Sequence, residues 1–285
     1  MNLKTLFFLL TSLILSACMP TSPMPTSTSN IDLQDPIVTD SSTRHQMPNT
    51  FDSWQIQLSG EVDTSIAAEV FFIDLFDTPI LIIEKLHKQG AYVICYFSAG
   101  SFEDWRLDAP LFPAEILGKG LKGWHGEKWL DISRLDLLAP IMDARLDLAV
   151  QKGCEGVDPD NVDGFINDSG FPLDADDQLT FNTYLTQAAH LRGLAIGLKN
   201  DLDQVSELLP YFDWILNEEC FTYQECESLL PFVHADKPVF VIEYDLLPQE
   251  FCPQANEMGF NAIHKNLELD AYLTDCRQFA SFQNH

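Results

Sequence analysis

From residue 53 onward, hydrophobic and polar positions follow one recurring theme. A short run rich in β-branched and aromatic residues ends on a polar side chain, then comes a loop, then a stretch with apolar residues at helical spacing. The β-rich runs fall at residues 54–58, 70–76, 92–97, 156–160, 194–198, 213–217, 238–243 and 260–264, eight in all. The intervening helices have readable ends. Thr78-Pro79 is expected to open a helix that closes at Gly90, with the threonine as cap and the proline in the first turn. Asp174 precedes a run that places Phe181, Tyr184, Leu185 and Ala188 on one face and stops at Gly193. Strands that alternate with helices pair in parallel, and eight of them close a (β/α)8 TIM barrel. The expected fold is therefore a single α/β barrel domain, with an open doubly wound sheet as the alternative. A long insertion after the third run, about residues 98–140, carries Trp105, Trp124 and Trp129. On a barrel it lies over the C-terminal face, where active sites are built.

The first fifty residues break this pattern. Lys4 gives a positive start, residues 6–15 are apolar, and Ser16-Ala17-Cys18 supplies small residues for cleavage, the layout of an export signal. The apolar run is too short to span a bilayer, which takes about 20 residues. Leu15-Ser16-Ala17-Cys18 resembles a bacterial lipobox, which implies that Cys18 becomes the lipid-modified first residue of the mature chain. The expected organisation is a lipoprotein signal peptide at 1–17, a disordered tether rich in Pro, Ser and Thr at 18–50, and the barrel at 51–285. The protein is thus expected to be exported and lipid-anchored to a membrane. Met19 stands where an inner-membrane lipoprotein carries Asp, which favours the outer membrane or cell surface. The other six cysteines form an even set for an oxidising compartment. Cys220–Cys226, Cys252–Cys276 and Cys95–Cys154 is the expected pairing, one of about 15 connectivities open to six cysteines.

Composition narrows the function. With 46% hydrophobic and 21% charged residues over 285 positions, the chain has enough apolar surface for a full core. Its 16 basic and 43 acidic residues give a formal charge of -27, which excludes a nucleic-acid binder that works through a basic patch. Three motifs carry less than they promise. Gly118-Lys119-Gly120-Leu121-Lys122-Gly123 has dinucleotide-loop spacing but follows no strand and opens no helix. Residues 158–164 look like a calcium loop, yet Val162 and Ser169 stand where ligands are required. No serine sits in a G-x-S-x-G elbow, and no C-x-x-C or His pair has zinc-ligand spacing, so neither a metal nor a cofactor is expected.

On a parallel barrel the last residues of the strands converge on one face. Here they are Gln57, Asp74 and Asp77, Ser98, Asp158 and Asp160, Lys199 and Asn200, Glu218 and Glu219, Glu243, and Lys265. Any one of them could be a helix cap, but a set of carboxylates beside tryptophans and tyrosines suits glycoside hydrolysis. That reaction needs one protonated and one ionised carboxyl across a sugar linkage. An acidic aromatic groove equally suits a binding protein.

The strings around these positions carry a resemblance: Trp54-Gln55-Ile56-Gln57, Ile73-Asp74-Leu75-Phe76-Asp77, Ile94-Cys95-Tyr96-Phe97-Ser98-Ala99-Gly100-Ser101 with Trp105-Arg106, Val157-Asp158-Pro159-Asp160-Asn161, Gly197-Leu198-Lys199-Asn200, Asn217-Glu218-Glu219-Cys220 and Ile242-Glu243-Tyr244. In order and over residues 54–244, they resemble glycoside hydrolase family 114, the endo-α-1,4-polygalactosaminidases. The resemblance implies a TIM barrel that cuts α-1,4-linked galactosamine exopolysaccharide, with Asp160 as nucleophile and Glu218 as acid/base. It further implies substrate contacts from Asp74, Tyr96, Ser98, Trp105, Asp158, Asn161, Lys199, Glu243 and Tyr244. Asp158 departs from the family's pattern, in which many relatives carry Glu. Independently, a cluster of carboxylates raises the pKa of its least solvated member, while a lysine such as Lys199 keeps another ionised. The negative charge of the chain would draw a cationic galactosamine polymer. The protein is expected to act as a monomer. Two other readings stay open: a non-catalytic polysaccharide-binding lipoprotein on the same barrel, and a glycosidase for a partly acetylated polymer.

Overall fold

The computed structural model describes residues 47–279. The expected signal peptide, Cys18 and all but the end of the expected tether lie outside them. Eight strands, β1 (Trp54–Gln57), β2 (Val70–Asp74), β3 (Tyr92–Ser98), β4 (Gly156–Asp160), β5 (Ala195–Lys199), β6 (Trp214–Glu218), β7 (Val239–Glu243) and β8 (Asn261–His264), stand side by side in chain order. Each pairs in parallel with the next, so all eight runs read from the sequence form strands, with ends shifted by at most two residues. A two-residue strand, Thr274–Asp275, adds antiparallel to β8. The sheet curls strongly. Among the described residues no ladder joins β8 to β1, and side chains and a loop bridge the seam instead. Trp54 Nε1 donates to the Asn261 carbonyl at 3.0 Å, and Lys265 Nζ to Gln55 Oε1 at 2.9 Å. The amides of Leu58 and Ser59 donate to the Leu269 carbonyl at 2.9 and 3.2 Å.

Period-two alternation divides the strands between two cores. Trp54, Ile56, Val70, Phe72, Ile94, Trp214, Leu216, Phe240, Ile242 and Ile263 fill the inside of the curl. Their neighbours Phe71, Ile73, Val93, Val157, Ile196, Ile215 and Val241 face the helices. Burying one such aromatic or branched side chain is worth about 1.5–3 kcal/mol. The inner layer leaves no room beside the Trp214 indole, since a Cβ at Gly197 would meet Trp214 Nε1 at 1.9 Å.

Of the helices, α1 (Ile80–Lys88) starts one residue later than Thr78-Pro79 implied. Pro79 itself, extended at φ -63° and ψ 143°, is the cap, and the Thr78 side chain makes no capping bond. Helix α2 (Leu135–Lys152) follows the insertion. Helix α3 (Ala175–Leu191) is capped as read, with Asp174 accepting from the amides of Asp176 and Asp177. Helix α4 (Pro248–Met258) precedes β8. All three expected disulfides form. Cys95–Cys154 closes a separation of 59 residues, worth about 4 kcal/mol by the chain-entropy relation. Among the described residues no helix is long and apolar enough to cross a membrane.

The insertion folds into a three-stranded antiparallel sheet in the order Ser101–Glu103, Glu127–Leu130, Leu117–Gly120. Gly118 and Gly120 belong to its strands, so the dinucleotide-like spacing has no loop to serve.

Candidate active site

The inward column of each strand changes character from base to rim. In β4 it reads Gly156, Asp158, Asp160; in β5, Ala195, Gly197, Lys199; in β6, Trp214, Leu216, Glu218. The residue that follows each terminal charge turns into the left-handed region: Asn161 at φ 60°, Asn200 at φ 52° and Glu219 at φ 64°. Such a conformation costs a non-glycine residue about 1 kcal/mol or more, least for Asn. It swings the backbone away directly beyond the charged side chain and leaves that side chain standing at the rim. Close approach locks β3 against β4 here. The amides of Ala99 and Gly100 donate to the Asp160 carbonyl at 2.9 and 3.1 Å. A Cβ at Gly100 would lie 1.7 Å from the Asn161 carbonyl oxygen.

Lys199 joins the terminal carboxylates. Its ammonium, with the side chain only 4% exposed, lies 3.0 Å from Asp160 Oδ1 and 3.5 Å from Glu218 Oε2. Tyr96 donates its hydroxyl to Asp160 Oδ2 at 3.0 Å, and Tyr244 donates to Glu218 Oε1. The Glu218 amide is held by Asn200 Oδ1 at 3.0 Å. Burial alone would push the Asp160 carboxyl up. The Lys199 charge, the Asn161 amide and the hydrogen bonds from Lys199 and Tyr96 outweigh it and hold the group below the usual carboxylate range. Burial likewise acts to lower Lys199, but Asp160, Glu218 and Asp158 together hold it above the normal lysine value. Asp158 lies fully buried one layer down, and neither of its carboxylate oxygens finds a hydrogen-bond partner among the described residues. Desolvation pushes it up to about 7, against the pull of Lys199.

These groups form the floor of a groove of about 880 Å³. Of the residues read from the sequence, Asp160, Glu218, Asp74, Tyr96, Trp105, Asn161, Lys199 and Tyr244 line it. Three do not. Glu243 points outward, because its neighbour Ile242 takes the inward position; it accepts from the Phe221 amide and from Thr222 Oγ1, both at 2.7 Å, and braces the loop after β6. Asp158 is sealed beneath Asp160. Ser98 is buried behind Asn161, which donates to its hydroxyl at 2.9 Å. Asp74 reaches the groove but is neutralised by Arg106 at 2.6 Å.

Glu103, Arg106, Glu127 and Asp163 also line the groove, although the sequence did not single them out as contacts. Arg106 binds Glu103 as well as Asp74. Desolvation first, then the nearby Asp160, pushes Asp163 up to about 6. Trp105 and Trp124 are 49% and 54% exposed on the insertion side, open faces on which a sugar ring can stack. The candidate calcium loop is instead the end of β4 with its turn. Among the described residues, no group of three or more His, Cys, Asp or Glu side chains is placed to hold a metal ion.

Comparison with known proteins adds to this geometry. The family described as Glycoside-hydrolase family GH114 matches residues 36–281. Among solved structures, Ega3 of Aspergillus fumigatus, crystallised in complex with galactosamine, is 41% identical with a TM-score of 0.78, covering 82% of this chain and 99% of that one. The glycoside hydrolase domain of PelA from Pseudomonas aeruginosa is similar in fold, at 14% identity and a TM-score of 0.61, covering 78% of this chain and 97% of that one. No curated protein sequence matches the chain.

Proposed function

The chain belongs to glycoside hydrolase family GH114 and is a glycoside hydrolase, and from that premise we propose that it cuts α-1,4-linked galactosamine polymers at internal bonds. Asp160 is the nucleophile and Glu218 the acid/base. The observation that carries this reading is the shared ammonium of Lys199, 3.0 Å from one carboxylate and 3.5 Å from the other. Their facing oxygens are no further apart than those two distances laid end to end. That suits the separation of about 5–5.5 Å used by retaining enzymes, and at most touches the lower edge of the about 6.5–9.5 Å used by inverting ones.

The reaction follows from these positions. Asp160 attacks the anomeric carbon as the glycosidic bond breaks, and Glu218 passes its proton to the departing oxygen. A glycosyl ester on Asp160 results. Water then attacks the same carbon while Glu218 takes up its proton, which releases the sugar and restores both carboxyls. Tyr96 and Tyr244 hold the two carboxyls in place; burial, followed by the nearby carboxylate charges, keeps both phenols protonated as donors. The galactosamine in the Ega3 crystal and the acid-rich groove support a cationic substrate.

Incubation with deacetylated α-1,4-galactosamine polymer should release oligosaccharides. Asp160→Asn and Glu218→Gln should each lower the rate at least about 1,000-fold with an unchanged melting temperature. Full activity in either variant, or binding without cleavage by the native protein, refutes the reading. The same proposal places the enzyme outside the cytoplasm, lipid-anchored through Cys18, which suits a protein with three disulfides. Cys18→Ser should then leave the membrane fraction when the full chain is expressed.

A further inference from the structure

Glu127 stands apart from the other acids of the groove. It sits on the middle strand of the insertion sheet, is only 9% exposed, and lines the groove beside the Asp160 side of the catalytic pair. Asp74 and Glu103 are answered by Arg106, Asp168 by Lys119, and Asp160 and Glu218 by Lys199. Glu127, Asp163, Glu219 and Glu268 have no ion-pair partner among the described residues, and of these four only Glu127 is buried.

Its position relative to Asp160 is fixed by a one-way chain of hydrogen bonds. Asn161, the residue after Asp160, donates Nδ2 to Ser98 Oγ at 2.9 Å. Ser98 and Ser101 share a hydroxyl contact at 2.5 Å, and Ser101 donates to Glu127 Oε2 at 3.0 Å. Because the Ser101 proton goes to Glu127, the Ser98 proton must go to Ser101, so the whole chain points toward the carboxylate. Glu127 Oε1 carries no hydrogen bond among the described residues. The charged groups around it are Glu103 and Asp160, which repel its negative charge, and Arg106, which attracts it. Burial first, then these acids, push Glu127 up to about 7, while Ser101 and Arg106 pull it down. A cation that arrived in the groove would relieve all of these penalties at once.

Attack by Asp160 on an anomeric carbon places the substituent of the adjacent ring carbon close to Asp160. On one side of Asp160 lies the Lys199 ammonium, which repels an amine. On the Asn161–Ser98–Ser101 side lies Glu127. We propose that Glu127 is the specificity-determining counter-ion for the 2-ammonium group of the sugar whose bond is cut, so that a free amine is selected over an acetamide at that ring. This rests on the galactosaminidase reading above and names the group that sets its amine preference. An acetamide would leave the Glu127 carboxyl buried without a cation and add a methyl group beside it.

The test pairs wild type with Glu127→Gln, Glu127→Asp and Asp163→Asn on fully deacetylated and partly acetylated α-1,4-galactosamine polymers. Cleavage rates are measured and the sugar at each new reducing end is identified by mass spectrometry. Wild type should leave almost only free-amine reducing ends. Glu127→Gln should lower kcat/KM on the deacetylated polymer about tenfold or more and give mixed ends. Glu127→Asp, which keeps the charge, should restore part of the selectivity, and Asp163→Asn should keep it. Unchanged end selectivity in Glu127→Gln, or its loss in Asp163→Asn alone, overturns the proposal. Should wild type cleave neither polymer, the galactosaminidase reading fails by itself. Titration calorimetry with galactosamine and N-acetylgalactosamine then decides on Glu127: preferential galactosamine binding that Glu127→Gln abolishes supports it, and equal binding by both proteins refutes it.

Discussion

Lys199→Met removes the ammonium that Asp160 and Glu218 share and keeps most of the unbranched stem. At 3.0 Å and an effective dielectric of about 20, the attraction between Lys199 and Asp160 is about 5.5 kcal/mol. The Tyr96 hydroxyl and the Asn161 amide remain and offset part of the loss, so the Asp160 carboxyl should rise out of its depressed range. In the native protein Asp160 is held low, and its ionised form is lost only as pH falls through that depressed value. In the variant the acid limb of kcat/KM should therefore move to higher pH, and kcat should fall even on the plateau. The assay is reducing-end release from deacetylated galactosamine polymer between pH 3 and 9, with thermal melting at each pH. Lys199→Arg keeps the charge and should leave the acid limb near its native position, even if the larger head lowers kcat. An acid limb that stays in place in Lys199→Met refutes the assignment of Lys199 as the group that keeps the nucleophile ionised.

Asp158→Asn tests the acid sealed under the site. Its pKa rises from 3.8 to about 7 on folding, so wild type loses stability as pH climbs from about 4 to 7, while the amide does not. The variant should melt no higher than wild type below pH 4 and progressively higher up to pH 7. The gain should level off beyond pH 7 at no more than about 4 kcal/mol. A melting difference that is the same at pH 5 and pH 8 contradicts this account. Salt tests the long-range field. With a chain charge of -27 and a cationic polymer, kcat/KM should fall several-fold between low salt and about 0.3 M while kcat stays nearly constant, because screening weakens capture and leaves the enclosed pair intact. A kcat that falls in step with kcat/KM would place the salt effect at the bond being cut.

The eight strands were legible because each is a compact apolar run bounded by turn residues, and because β-branched and aromatic residues crowd into it. The rim residues Asp160, Lys199 and Glu218 were legible for the same reason, as each is the last side chain before its strand breaks. Glu243 was read as their equal, since it too ends an apolar run. The difference is parity: Ile242 occupies the inward slot of β7, so Glu243 turns to the Phe221 amide and Thr222, while Tyr244 takes the next inward place. Parity in a buried parallel strand cannot be read when both faces are apolar, as in Val239–Glu243. Glu103 and Glu127 were beyond reach for another reason. Their strands are short and their pairing is antiparallel across about 25 residues of loop, so neither period nor barrel order predicts which side chain meets the groove. The expected disulfides are those that form, because local spacing favours two pairs and leaves Cys95 with Cys154.

On the proposed mechanism the rim and the insertion would hold the substrate by different physics. The strand ends are fixed by ladder bonds and by the shared ammonium, so the separation of Asp160 and Glu218 is a property of the curled sheet. Glu127 lies on a separate small sheet, and the exposed Trp105 and Trp124 lie in the loops of that insertion. Ser98, Ser101 and Asn161 connect the two, at 2.5 to 3.3 Å. On the proposed roles, a change in the insertion would alter which sugar is accepted without moving Asp160 and Glu218. The reverse does not hold. Displacing Asn161 drags both Asp160, through the β4 backbone, and Glu127, through the hydroxyl chain. Gly100 sits where this coupling is tightest, with no space for a Cβ against the Asn161 carbonyl. Any side chain at position 100 must push β3 and β4 apart, and so disturb cleavage and amine selection together.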